Sequence, residues 1–109
     1  MAYNIDIEKR ISPIVSRWEN TELKKMFGGI CYLLKGNMVC GIYKDFLILR
    51  LGEANAEKHL ADRHVRPFDI TGRPMKGWIM IAPEGFKKEA HLKKWLREAK
   101  NFAETLPQK

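Results

Sequence analysis

Apolar residues recur at helical spacing near both ends of the chain and in short, dense runs between them. Ile7, Ile11, Ile14, Val15 and Trp18 share one helical face and predict a first helix over 5–18. Asn4 is placed to cap it and Asp6 to meet the positive end of its dipole. Pro13 predicts a kink or break, because a proline inside a helix removes a hydrogen bond and crowds the preceding turn. Near the other end, Leu92, Trp95, Leu96, Ala99, Phe102, Ala103 and Leu106 form one continuous stripe and predict a helix over 87–106, stopped by Pro107.

Between them, 30–35, 38–43 and 46–51 are runs of strand-forming residues, separated by Gly36-Asn37 and Lys44-Asp45. Two-residue separations of this kind predict tight hairpins. A strand near 23–27 precedes the meander, set off by Gly28-Gly29. A short helix over 53–61 follows Gly52. The stretch 66–78, rich in Pro and Gly, reads as loop or edge strand, and 77–82 as a further strand. The expected fold is therefore α+β: a two-layer sandwich of an antiparallel meander sheet with N-terminal and C-terminal helices packed on it.

The pleat assigns faces. With Gly36-Asn37 as the turn, Leu33 faces Cys40, and Cys31, Leu33, Met38, Cys40, Ile42, Leu47, Leu49 and Leu51 share a core face. The opposite face carries Tyr32, Leu34, Val39, Gly41, Tyr43, Phe46, Ile48 and Arg50. A sheet with one wet face alternates apolar and polar residues; this second face is unusually apolar and ends in tyrosines and an arginine. Either helices cover both faces or a partner covers one, and Tyr32, Tyr43, Phe46 and Ile48 are the candidate protein interface. In this register Cys31 and Cys40 are diagonal neighbours roughly 7–8 Å apart, beyond easy disulfide geometry, and read as small core residues.

Composition adds a charge argument. The chain fits one domain over 1–109 and carries a formal charge of +7. That balance favours nucleic acid, an anionic membrane or an acidic protein as partner. No run approaches the roughly 18 apolar residues of a membrane span, so no membrane partner is expected. The N-terminus lacks the order of a signal peptide, which points to the cytoplasm. Two cysteines and three histidines show no metal-ligand spacing, and no nucleophile motif stands out. Neither metal nor cofactor nor enzymatic activity is expected.

Two segments concentrate cations. Arg66, Arg73, Lys76 and Trp78 fall close together in the loop, a combination suited to phosphate contact and base stacking. The same residues also serve a stiffened loop with a buried tryptophan. The last helix turns Lys87, Lys93, Lys94, Arg97 and Lys100 outward, with His91 among them, but Glu89, Glu98 and Glu104 interrupt the stripe, as on an ordinary solvated face. Gly28-Gly29 matches neither a P-loop nor a dinucleotide fingerprint and reads as a turn or bulge.

Met26-Phe27-Gly28-Gly29 followed by an apolar strand, the glycine hairpin, Asp45–Arg50 (DFLILR) and then Arg66–Trp78 (RPFDITGRPMKGW) come in an order that resembles the TfoX N-terminal domain family, in its branch of short stand-alone members. The resemblance runs from the first helix to Pro107. It implies a two-layer fold with an antiparallel sheet of the kind shared with bacterial secretion chaperones. It implies a positive regulator of competence (DNA uptake) genes working with other transcription factors, and brings no catalytic residues. This chain is expected to lack the helical C-terminal domain of the full-length regulators. The expected function is thus a non-catalytic regulatory module that docks a transcriptional regulator or a second copy of itself as a homodimer. The alternative is direct nucleic-acid binding through Arg66, Arg73, Lys76, Trp78, Lys94 and Arg97.

Overall fold

The computed structural model describes residues 3–26, 28–69, 72 and 75–107. Helix α1 (Ile5–Val15) leads into strands β1 (Thr21–Met26), β2 (Gly29–Leu34), β3 (Asn37–Tyr43) and β4 (Phe46–Arg50). Helix α2 (Glu53–His59), β5 (Val65–Pro67), β6 (Trp78–Ile81), a 3-10 turn (Pro83–Gly85) and α3 (Glu89–Ala103) follow. The strands form one antiparallel sheet in the order β1-β2-β3-β4-β6-β5. This is the α+β arrangement that the pattern predicts, with helices packed on the sheet.

Asn4 caps α1 as expected, its Oδ1 accepting from the Asp6 amide at 2.9 Å. The helix runs through Pro13 and ends two residues later, so the proline sits in the last turn, where little helix remains to disrupt. Arg10 on α1 donates to the carbonyls of Phe86 (2.8 Å) and Lys87 (3.1 Å), just before α3 begins. At the other end of α3, the Asn37 amide donates to the Pro107 carbonyl at 2.8 Å. Three long-range hydrogen bonds, from the side chains of Arg10 and Asn37, thus fix where α3 starts and where the chain leaves it.

All three helices lie on one face of the sheet. Ile7, Ile11 and Val15 of α1, Ala56 of α2 and Leu92, Leu96, Ala99 and Ala103 of α3 share a single core with it. The sheet meets them with a buried row of residues in register across five strands: Ile30, Ile42, Leu47, Ile81 and Val65. β-Branched and leucine side chains in such a row pack tightly against each other and the helices above.

The first hairpin differs from the expectation. Its turn is Lys35-Gly36, with φ of 52° and 83°, and Leu34 pairs with Asn37. Positive φ at both central residues is what a type I′ hairpin turn requires. Leu33 accordingly faces Met38 instead of Cys40. One residue further on, Tyr32 faces Cys40, so Val39 is an extra, bulged residue in β3. A bulge reverses the faces of one strand relative to its partner beyond it. Cys40 and Ile42 keep the core face assigned to them, but in β2 it is Ile30, Tyr32 and Leu34 that share it. Cys31, Leu33 and Met38 therefore face the other way, and Cys31 and Cys40 lie on opposite faces. The second hairpin forms at Lys44-Asp45 as read, with Tyr43 opposite Phe46.

Candidate functional site

The helix-free face is built from alternate residues of the same strands. A second row runs across it in register: Lys24, Cys31, Gly41, Ile48, Met80 and Arg66. Its centre is apolar and each end is a cation. Just past β5, Phe68 covers this centre. Phe68 packs on Ile48, Trp78 and Met80 in a second buried cluster, with its ring 5.8 Å from that of Trp78. Met38, Tyr43, Phe46 and Met75 border this cluster and stay half-buried.

Cations sit over its aromatic rims. The Arg66 guanidinium lies 5.1 Å from the centroid of Phe46, Lys44 Nζ 5.3 Å from that of Tyr43, and Arg50 5.6 Å from that of Trp78. Arg66 is exposed on the three-residue edge strand β5, so this contact is made at the surface. The face thus combines half-buried aromatics, methionines and arginine, the residue types enriched where interfaces are centred.

The four candidate interface residues fall in different places. Tyr43 and Phe46 lie side by side on the rim of the helix-free face. Ile48 lies beneath Phe68, 2 % exposed. Tyr32 lies on the helix side, 4 % exposed, with its hydroxyl against Ser12 of α1.

The candidate nucleic-acid contacts are likewise dispersed. Arg66 is on the helix-free face and Trp78 is buried in it. Lys76 makes an exposed pair with Glu53 of α2 at 3.8 Å. Lys94 and Arg97 belong to the helix layer, Lys94 beside His59 and Arg97 beside Trp18. Arg73 lies outside the described residues.

A further cluster was not legible as such in the sequence. His59 Nε2 lies 2.7 Å from Glu98 Oε1, and its ring meets Trp95 edge-on at 4.8 Å. Trp95 Nε1 donates to the Gly85 carbonyl at 3.0 Å. Asp62, His91 and Lys94 complete the wall of a hollow of about 210 Å³. His59 and Glu98 are 39 positions apart, so only the packing of α2 against α3 brings them together. Among the described residues no group of three or more His, Cys, Asp and Glu side chains is arranged to hold a metal ion. No described helix is long and apolar enough to cross a membrane.

Both thiols are buried. Burial pushes the Cys31 thiol up to about 11 and that of Cys40 further, with Cys31 nearby adding to the shift of Cys40. Such thiols stay protonated near neutrality and are poor nucleophiles.

These features define a two-layer α+β domain with its helices on one side, a half-covered apolar sheet face on the other and no assembled metal cluster among the described residues. Residues 14–103 match the TfoX N-terminal domain, and the chain belongs to that family. No curated protein and no solved structure matches it.

Proposed function

We propose that the chain is a non-catalytic regulatory module of the TfoX N-terminal type that works by docking a protein partner on its helix-free sheet face. The observation that carries this reading is the one-sidedness of the helix layer. Met38, Tyr43 and Phe46 border Phe68 and Trp78 as an apolar rim, with no described helix over it. Arg66 and Lys44 border the rim and supply orientation, since cations at an interface edge steer and register a partner more than they add affinity. The partner is a transcriptional regulator or a second copy of this chain, and the process served is regulation of competence genes, as family membership suggests.

The test is site-specific photo-crosslinking in the native host. A photoreactive side chain at Phe46 or Tyr43 is expected to give one discrete adduct. The same group at Lys9, exposed on α1, is expected to give none. Light scattering then tells a second copy from a different protein. Equal or absent crosslinking at both positions sinks the reading.

A further inference from the structure

The helix layer carries a second surface, far less apolar than the first. Lys93, Arg97 and Lys100 fall at i, i+4 and i+7 of α3 and so line one helical face. That face borders the end of α1, where the chain turns out of the helix at Arg17 and Trp18. Ile14, Arg17, Trp18, Lys93, Arg97 and Lys100 wall one hollow of about 300 Å³. A second hollow of about 340 Å³ shares Arg17, Trp18 and Lys100 and continues toward Lys35 at the first hairpin. The two form one groove beside the indole of Trp18, which is partly buried against the helix-side core, with Lys100 Nζ 5.9 Å from its ring centroid.

The charges in this groove are unbalanced. Lys100 pairs with Glu104 at 4.0 Å, and Glu19 stands at the far end. No described carboxylate lies within ion-pair distance of Arg17, Lys93, Arg97 or Lys35. Cations gathered without counter-charges repel one another, and an anionic occupant relieves that repulsion. A concave basic track beside an accessible aromatic is the arrangement that takes a nucleic-acid strand, with phosphates on the cations and a base on the ring. A duplex keeps its base faces stacked and away from such an indole; a single strand presents them.

We infer that the α1–α3 groove is a binding site for single-stranded nucleic acid, with Trp18 stacking a base and Arg17, Lys93, Arg97 and Lys35 holding phosphates. This surface is independent of the helix-free sheet face, and either can fail without the other.

The experiment is fluorescence anisotropy with a short labelled oligothymidylate across a salt series. A matching duplex and a labelled polyglutamate peptide serve as competing probes. With about four phosphates neutralised, log K is expected to fall about three units per tenfold rise in salt. Arg17→Glu/Arg97→Glu reverses two exposed, unpaired cations and is expected to weaken binding at least about tenfold. Lys9→Glu/Lys24→Glu makes the same change in net charge elsewhere and is expected to weaken it only a few-fold, through the long-range field. Trp18→Phe should keep the affinity, and Trp18→Ala should lose about tenfold, the scale of one stacked base. Circular dichroism confirms that each variant is folded. Absence of binding at low salt overturns the site, as do equal losses in the two double variants. Tighter binding of the duplex overturns the single-strand assignment, and tighter binding of polyglutamate makes this a site for an acidic protein.

Discussion

The hydroxyls of Tyr32 and Ser12 lie 2.9 Å apart, joining the middle of β2 to α1. Tyr32 therefore belongs to the core between sheet and helices. Tyr32→Phe removes one neutral hydrogen bond and leaves the half-buried Ser12 within reach of water, so the expected loss is about 1 kcal/mol. Tyr32→Ala leaves a cavity under α1 and is expected to cost about 3–5 kcal/mol. Tyr43→Ala, on the half-buried rim of the other face, should cost distinctly less. Urea unfolding of the three variants checks the order. A Tyr32→Ala as mild as Tyr43→Ala would place Tyr32 outside the core.

Burial raises three acidic groups together. Cys31 is pushed from an ordinary value of 9.0 up to about 11, Cys40 goes higher, and Tyr32 rises for the same reason despite the opposing bond to Ser12. A raised folded-state value means that the unfolded chain gives up these protons first. The stability they contribute is therefore complete below about pH 9, and it drains away as pH rises through about 11. Thermal unfolding should show a falling midpoint over that range. Cys31→Ala/Cys40→Ala should flatten the decline, although both cavities lower the midpoint at pH 7. A midpoint independent of pH up to about 11 would contradict the burial of these groups.

Gly52 precedes α2 with φ 86° and ψ 157°, a region closed to side chains. A Cβ built there would also fall 2.6 Å from the Phe102 ring. Gly52→Ala combines backbone strain with a steric clash and is expected to cost more than about 2 kcal/mol. Phe102→Ala relieves only the clash, so the double variant should lose less than the sum of the single ones. Strict additivity in a double-mutant cycle would separate the two residues.

The elements were legible because each has a local cause. The stripe from Leu92 to Leu106 can be satisfied only by a helix, and Lys44-Asp45 sets the register of β3 with β4 without further information. Less legible was what depends on one backbone angle or one extra residue. Lys35-Gly36 and Gly36-Asn37 are both credible turns on residue type, and the choice between them decides whether Leu33 meets Met38 or Cys40. The bulge at Val39 has no signature in the sequence, yet it moves Tyr32 into the core and Cys31 out of line with Cys40. The basic stripe of α3 was visible from spacing. Its meeting with Arg17 and Trp18 was not, because it depends on how α1 leaves its last turn, and His59 beside Glu98 is likewise a product of packing alone.

The turn itself offers the last prediction. Lys35 holds φ at 52°, a left-handed value that costs a lysine roughly 1 kcal/mol and an asparagine much less. Its amide also donates to the Asn20 carbonyl at 2.9 Å, which any residue but proline preserves. Lys35→Asn creates Asn-Gly, the pair that type I′ turns favour most. The variant should therefore be more stable than the parent by about 0.5–1 kcal/mol. Lys35→Val, whose branched side chain resists this angle, should be less stable by more than that. If Gly36-Asn37 formed the turn instead, residue 35 would be the last of β2, and valine, a strand former, would be the better of the two. The sign of the difference between Asn and Val at position 35 in urea unfolding thus decides which residues form the turn, and with it whether Leu33 meets Met38 or Cys40.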